Sequence, residues 1–149
     1  MKAEDLYHAG IIVEDFDATL EWYSEQMGYR WCEPFDGETT IVTKAGEQVI
    51  PMHVTYSMDE PRLEIVEAVP STIWTPADSG IHHLGFWSDE VDADVARLVA
   101  AGMSLDVTGL YPDGSTMWAY CSGPGRTRTE LVSRAMQPAI MQWFASGRR

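Results

Sequence analysis

Two stretches of the chain, YHAGIIVEDFDATLEWYSEQMG at residues 7–28 and HHLGFWSDEVDADVARLVAAG at residues 82–102, carry the same hydrophobic pattern. Each opens on a short apolar run, passes through an acidic turn and then places apolar residues at a helical period. Phe16, Leu20 and Tyr23 in the first, and Val91, Val95 and Leu98 in the second, fall at i, i+4 and i+7, which is one face of an α-helix. The pattern predicts strands at YHAGIIV and HHLGFWS and helices over 16–27 and 91–101. Asp15 and Asp89 stand where an N-cap oxygen accepts from helix N–H groups, and Gly28 and Gly102 where a left-handed residue ends a helix.

Laid over each other, the stretches agree at a constant offset of 75 residues, with His8, Gly10, Asp17 and Ala18 falling on His83, Gly85, Asp92 and Ala93. A second match closes each copy: RLEIVEA at 62–68 and RTELVSR at 128–134 align Arg62 with Arg128, Glu64 with Glu130, Ile65 with Leu131 and Val66 with Val132. Between these ends lie β-branched and aromatic runs cut by turn residues, which predict antiparallel strands. The expected organisation is a single α+β domain over residues 1–149, made of two βαβββ repeats at 5–68 and 80–133. VPSTIWTPADSG joins the repeats, and a tail helix begins near Pro138. Two such units pair their sheets around a shared cleft; a solenoid would need at least ~3.

Composition narrows the partners. With 45% apolar and 22% charged residues, the 149-residue chain reads as an ordinary packed protein. A net charge of −13, with no Lys/Arg run, argues against nucleic acid and anionic membrane surfaces and leaves a small molecule as the expected partner. Cys32 and Cys121 form no metal or redox motif, and the chain shows neither a secretory apolar segment nor a membrane-length apolar run. A reducing cytoplasm is the expected location.

The repeat also turns single residues into a constellation. His8 and Glu64 open and close the first unit, and His83 and Glu130 hold the matching positions of the second. Two imidazoles and two carboxylates suit a six-coordinate divalent ion with two positions open to water or substrate; Zn, Ni, Co, Mn, Fe and Mg all accept such donors. Strand alternation places His83, Gly85 and Trp87 on the cleft face and Leu84 and Phe86 under the helix. By the same count His82, which falls over Tyr7, is expected to point away and to be dispensable for metal binding. A carboxylate between Leu63 and Ile65 needs a partner, either a metal or a neighbouring arginine.

With those residues in place, the chain resembles the vicinal oxygen chelate superfamily of glyoxalase I, methylmalonyl-CoA epimerase, extradiol dioxygenases and the fosfomycin and bleomycin resistance proteins. The resemblance rests on YHAGIIVEDFDATLEWY, PRLEIVE, GIHHLGFWSDEVDA and RTELVS. It implies an open, cupped β-sheet of the glyoxalase type, metal ligands at His8, Glu64, His83 and Glu130, and a homodimer. It also implies a metal-dependent lyase or isomerase that transfers a proton next to a carbonyl, with Glu130 as catalytic base. The alternatives within the resemblance are a non-haem Fe(II) extradiol-type dioxygenase, which uses two histidines and one carboxylate, and a non-catalytic binding or resistance protein. Trp87, Trp118, Arg128 and His53 are the candidates for the substrate pocket. The epimerase branch implies a further acid before Glu64, where Glu47 and His53 match only loosely.

Overall fold

The computed structural model describes residues 1–147. Each repeat builds four strands and one helix: β1 (Leu6–Val13), α1 (Phe16–Met27), β2 (Phe35–Thr43), β3 (Gly46–Tyr56) and β4 (Leu63–Glu67), then β5 (His83–Ser88), α2 (Val91–Ala100), β6 (Ser104–Leu110), β7 (Thr116–Gly123) and β8 (Arg126–Ser133). The tail forms α3 (Gln137–Phe144), with Pro138 in its first turn. In both repeats the first strand runs parallel to the last, β1 beside β4 and β5 beside β8, and the hairpins lie outside them.

Asp15 caps α1 as expected, accepting from the Ala18 N–H at 3.0 Å, and Gly28 ends it in the left-handed region at φ 75°. Asp89 does not cap α2. Glu90 holds that position without a side-chain bond, and Asp89 instead accepts from Arg134 at 2.6 Å, a charge-assisted bond that competes for the carboxylate. Phe16 and Leu20 of α1 pack on Ile65, and Val91 of α2 packs on Ala119 and Leu131, so each helix covers the outside of its own repeat.

The strand order β1-β4-β3-β2-β6-β7-β8-β5 closes on itself, because β1 pairs antiparallel with β5 and β2 with β6. The expected cup is therefore a closed ring of eight strands. The β2–β6 seam holds only the pairs Ile41–Gly109, Val42–Thr108 and Thr43–Val107, so the ring is cupped about a lightly joined side. The predicted connector is not a mere link: it sends Trp74, 1% exposed, into the core beside Ile12, Val66 and Tyr120. Among the described residues no helix is long and apolar enough to cross a membrane.

Candidate metal centre

The seam between the repeats sets the site. Strands β4, β1, β5 and β8 are consecutive in the sheet, and each contributes one of the four repeat-matched residues to its concave side. All four are buried, and one donor atom from each lies within 4.8 Å of the others. His83 Nε2 is 3.0 Å from Glu64 Oε2 and His8 Nε2 is 3.1 Å from Glu130 Oε2, while the two Nε2 atoms approach to 3.0 Å. One chain thus gathers the whole set.

The polar chemistry of the cluster fits a cation. Oε2 of both glutamates is buried without a hydrogen-bond partner, an arrangement that costs free energy unless a positive group fills the centre. Burial works against ionisation of Glu64, but His8 and His83 outweigh it and hold the carboxyl down to about 2. Burial likewise works against a charged His8, and the two glutamates overcome it and raise the ring above its ordinary value. Two anionic oxygens facing two imidazole nitrogens, with no thiolate, are the donors expected around an open divalent site rather than a closed zinc knuckle.

Around this cluster stand two phenols outside the four pocket candidates. Tyr56 sits opposite Glu64 in the β3–β4 ladder and Tyr120 opposite Glu130 in the β7–β8 ladder, one phenol per repeat. The rings meet His8 and His83 edge-on, with centroids 5.4 and 5.0 Å apart. Burial, reinforced by the two glutamates, pushes both phenols far above their ordinary range, so they remain protonated. The signal for them was available in their shared place on the strand before each glutamate.

His82 corrects the strand-parity expectation. It precedes the first residue of β5, so regular alternation does not govern it, and its buried ring turns toward the site. Its Nδ1 lies 2.9 Å from His83 Nδ1, and its Nε2 lies 2.8 Å from the Ile73 carbonyl. Burial, helped by His83 and Arg128, lowers its pKa to about 4, so the ring is neutral. With His83 Nε2 as ligand, the His83 proton sits on Nδ1 and donates a hydrogen bond to His82 Nδ1, leaving the His82 Nε2–H to donate to the Ile73 carbonyl.

A cavity of about 490 Å³ lies over Glu64 and Glu130, closed on one side by α3. Trp118 lines it; the other three pocket candidates do not. His53 stands on the outer face of β3, stacked on Phe16 at 3.9 Å and paired with Glu67, because the inward positions there belong to Met52 and Val54. Arg128 bonds Asp106 at 3.0 Å and reaches His82 behind the cluster. Trp87 does point inward, but a one-residue bulge between Leu6 and His8 swings Tyr7 over it, ring on ring at 3.8 Å. Tyr7 takes its place in the cavity wall, with a buried hydroxyl that has no hydrogen-bond partner among the described residues.

Fold and site together define a duplicated βαβββ barrel with four buried nitrogen and oxygen donors at the seam of its repeats that could hold a cation. The chain belongs to the glyoxalase/bleomycin resistance protein/dioxygenase superfamily, whose family model matches residues 7–121. No curated protein matches it in sequence. Among solved structures, methylmalonyl-CoA epimerase in complex with methylmalonyl-CoA and NH4+ is similar, with a TM-score of 0.58 at 23% identity over 87% of this chain and 93% of that one. The epimerase from Mycobacterium tuberculosis has a TM-score of 0.54 at 20% identity, covering 91% of each chain. A variant of 4-hydroxymandelate synthase from Streptomyces coelicolor also has a TM-score of 0.54, at 18% identity over 87% of this chain and 38% of that one. At these identities the likeness is one of fold.

Proposed function

We propose that this protein is a divalent-metal-dependent isomerase or lyase that moves a proton on the carbon next to a substrate carbonyl. The observation that carries this reading is the buried set of His8, Glu64, His83 and Glu130, whose glutamate Oε2 atoms have no hydrogen-bond partner among the described residues. A divalent ion held by these residues supplies Lewis-acid polarisation of a carbonyl oxygen. Glu130 faces the cavity and accepts the α-proton on its carboxylate as the C–H bond breaks, while the electron pair shifts toward the carbonyl oxygen. The protonated phenols of Tyr7, Tyr56 and Tyr120 line the same space and favour negative charge on that oxygen. Glu130 then returns the proton, from the same side, to the neighbouring carbon. The apolar walls and α3 keep water from intercepting the charge.

Glu64 favours this reading over the dioxygenase alternative, since a facial triad of two histidines and one carboxylate leaves it over. The test is metal content after loading, followed by exchange of a substrate-analogue α-proton with D2O. Loaded wild type is expected to hold one divalent ion per chain and to catalyse exchange. His83→Ala is expected to lose the ion, and Glu130→Gln the exchange. A wild-type chain that retains no ion, or a loaded chain that consumes O2 with a catechol and exchanges no proton, overturns the proposal.

A further inference from the structure

We infer that the substrate is a compact aromatic molecule carrying its oxygens at one end, and that phosphate-bearing thioesters are excluded. The inference rests on the metal-site reading for the oxygen-bearing end, and on the cavity itself for the remainder.

At about 490 Å³ the cavity falls within the size range of small-molecule sites, roughly 300–1,000 Å³. Its polar floor is formed by Glu64 and Glu130, and above them rings and thioethers make up much of the wall, beside aliphatic side chains, Thr39 and Glu38. Trp74, Trp118 and Trp143 come from the connector, β7 and α3 respectively, and Phe35, Met52 and Met117 continue the surface. Trp74 and Trp118 meet edge-to-face at 6.1 Å, and each packs edge-on against Tyr120. Such a cage offers a flat ring both faces and edges to pack on.

Trp118 is held as part of that wall by its neighbour. Gly109 pairs with it across the β6–β7 ladder, and a β-carbon on Gly109 would fall inside the indole. The glycine therefore lets the indole lie flat against the sheet and leaves the space in front of it open.

Charge decides against a phosphorylated carrier. The acidic side chains lining the cavity are Glu38, Glu64 and Glu130, and among the described residues no Lys or Arg joins them. Arg62, which touches α3, is stacked 3.8 Å over Phe144 and paired with Glu60 at 2.7 Å. On a chain of net charge −13, a carrier's phosphates would meet repulsion at the cavity and no counter-charge from the described residues that line it. The fold neighbour described with methylmalonyl-CoA faces a different demand.

The experiment compares benzohydroxamate with acetohydroxamate on the metal-loaded full chain, by calorimetry and tryptophan fluorescence. The two present the same pair of oxygens and differ in phenyl against methyl. Benzohydroxamate is expected to bind at least about tenfold more tightly, from burial of the ring. Acetyl-CoA in large excess is expected not to displace it. Gly109→Ala, which drives Trp118 into the cavity, should bring the ratio toward one without changing metal content. Trp143→Ala, which removes the α3 ring from the cavity wall, should lower the ratio as well. Equal affinities in wild type, displacement by acetyl-CoA, or a ratio untouched by both variants overturns the inference. Toluene, which has no donor oxygen, reads the cavity separately by saturation-transfer NMR. Toluene binding without metal retention overturns the metal reading alone, and metal retention without a phenyl preference overturns the substrate class alone.

Discussion

Gly10 and His83 face each other across the β1–β5 ladder, and a β-carbon on Gly10 would fall inside the His83 imidazole. Gly85 stands in the same relation to His8. Gly10 also pairs with Glu64 on its other side, and Gly85 with Glu130, so two rows cross the seam: Glu64, Gly10, His83 and His8, Gly85, Glu130. In each row the imidazole lies over the bare glycine and reaches the carboxylate beyond it. The missing side chain is what lets residues on strands two apart come within 3.0 and 3.1 Å.

Gly10→Ala is therefore expected to destabilise the chain by ~1–3 kcal/mol, the usual cost of forcing a methyl into filled space, and to weaken metal binding by displacing His83. Combined with His83→Ala, which empties the space, most of that penalty should vanish. Urea unfolding of the metal-free single and double variants measures the coupling. Additive losses would mean that the ring and the glycine do not compete for the same volume.

His82→Ala is expected to keep the metal stoichiometry and to lower affinity about 10- to 100-fold, the range typical for loss of a group that orients a histidine ligand. His82→Asn should recover part of the loss, because its amide oxygen can accept from His83 Nδ1. Competition with a chelating dye gives both numbers. A wild-type affinity in His82→Ala would show that the 2.9 Å contact between the two rings does nothing for the site.

Acid stability should report on Arg134, which donates to Asp5 and Asp89 at 2.6 Å and so ties the first turn of the chain to the entry of α2. The guanidinium holds the Asp5 carboxyl below its ordinary value of 3.8. A carboxyl lowered on folding adds stability above its unfolded pKa and loses it as pH falls through the folded one. Arg134→Ala should thus be less stable than wild type at neutral pH, with the gap closing as the solution is acidified below the ordinary aspartate range. Urea midpoints across an acid series test this, and a gap constant with pH would count against it.

Both cysteines should be inert in the native chain. Cys32 and Cys121 are fully buried, and burial raises both thiols, Cys121 to about 11. Since the thiolate is the reactive form, neither should be titrated by an aromatic disulfide reagent near pH 8 until denaturant is added. Fast labelling of the native chain would reveal an opening motion at β7 or beside α3.

Much of this was legible beforehand because duplication supplies an internal comparison. His8 and His83, and Glu64 and Glu130, stand out since each repeat vouches for the other, and the same offset matched Gly10 with Gly85 before their purpose was visible. What escaped lies where periodicity fails. His82 stands just before its strand, Tyr7 occupies a bulge, and Trp74 belongs to a connector whose Pro and Ser content announces a loop and not a core residue. His53 and Arg128 were misplaced for a simpler reason. A polar residue near a site in sequence can lie on the far face of its strand, as His53 does, or short of the cluster on the same face, as Arg128 does two residues before Glu130, and each found an acidic partner there.

The two rows have a thermodynamic consequence. Each draws its histidine or its glutamate from the opposite repeat, so neither repeat owns a complete half of the site, and the donors span residues 8 to 130. Occupancy by an ion would then be conditional on the two halves having docked, and the ion would act as a clamp on that docking. By mass action, a free ion at 100 times its dissociation constant adds about 2.7 kcal/mol to the stability of the whole chain. Thermal unfolding followed during metal titration would therefore report the joining of the repeats themselves.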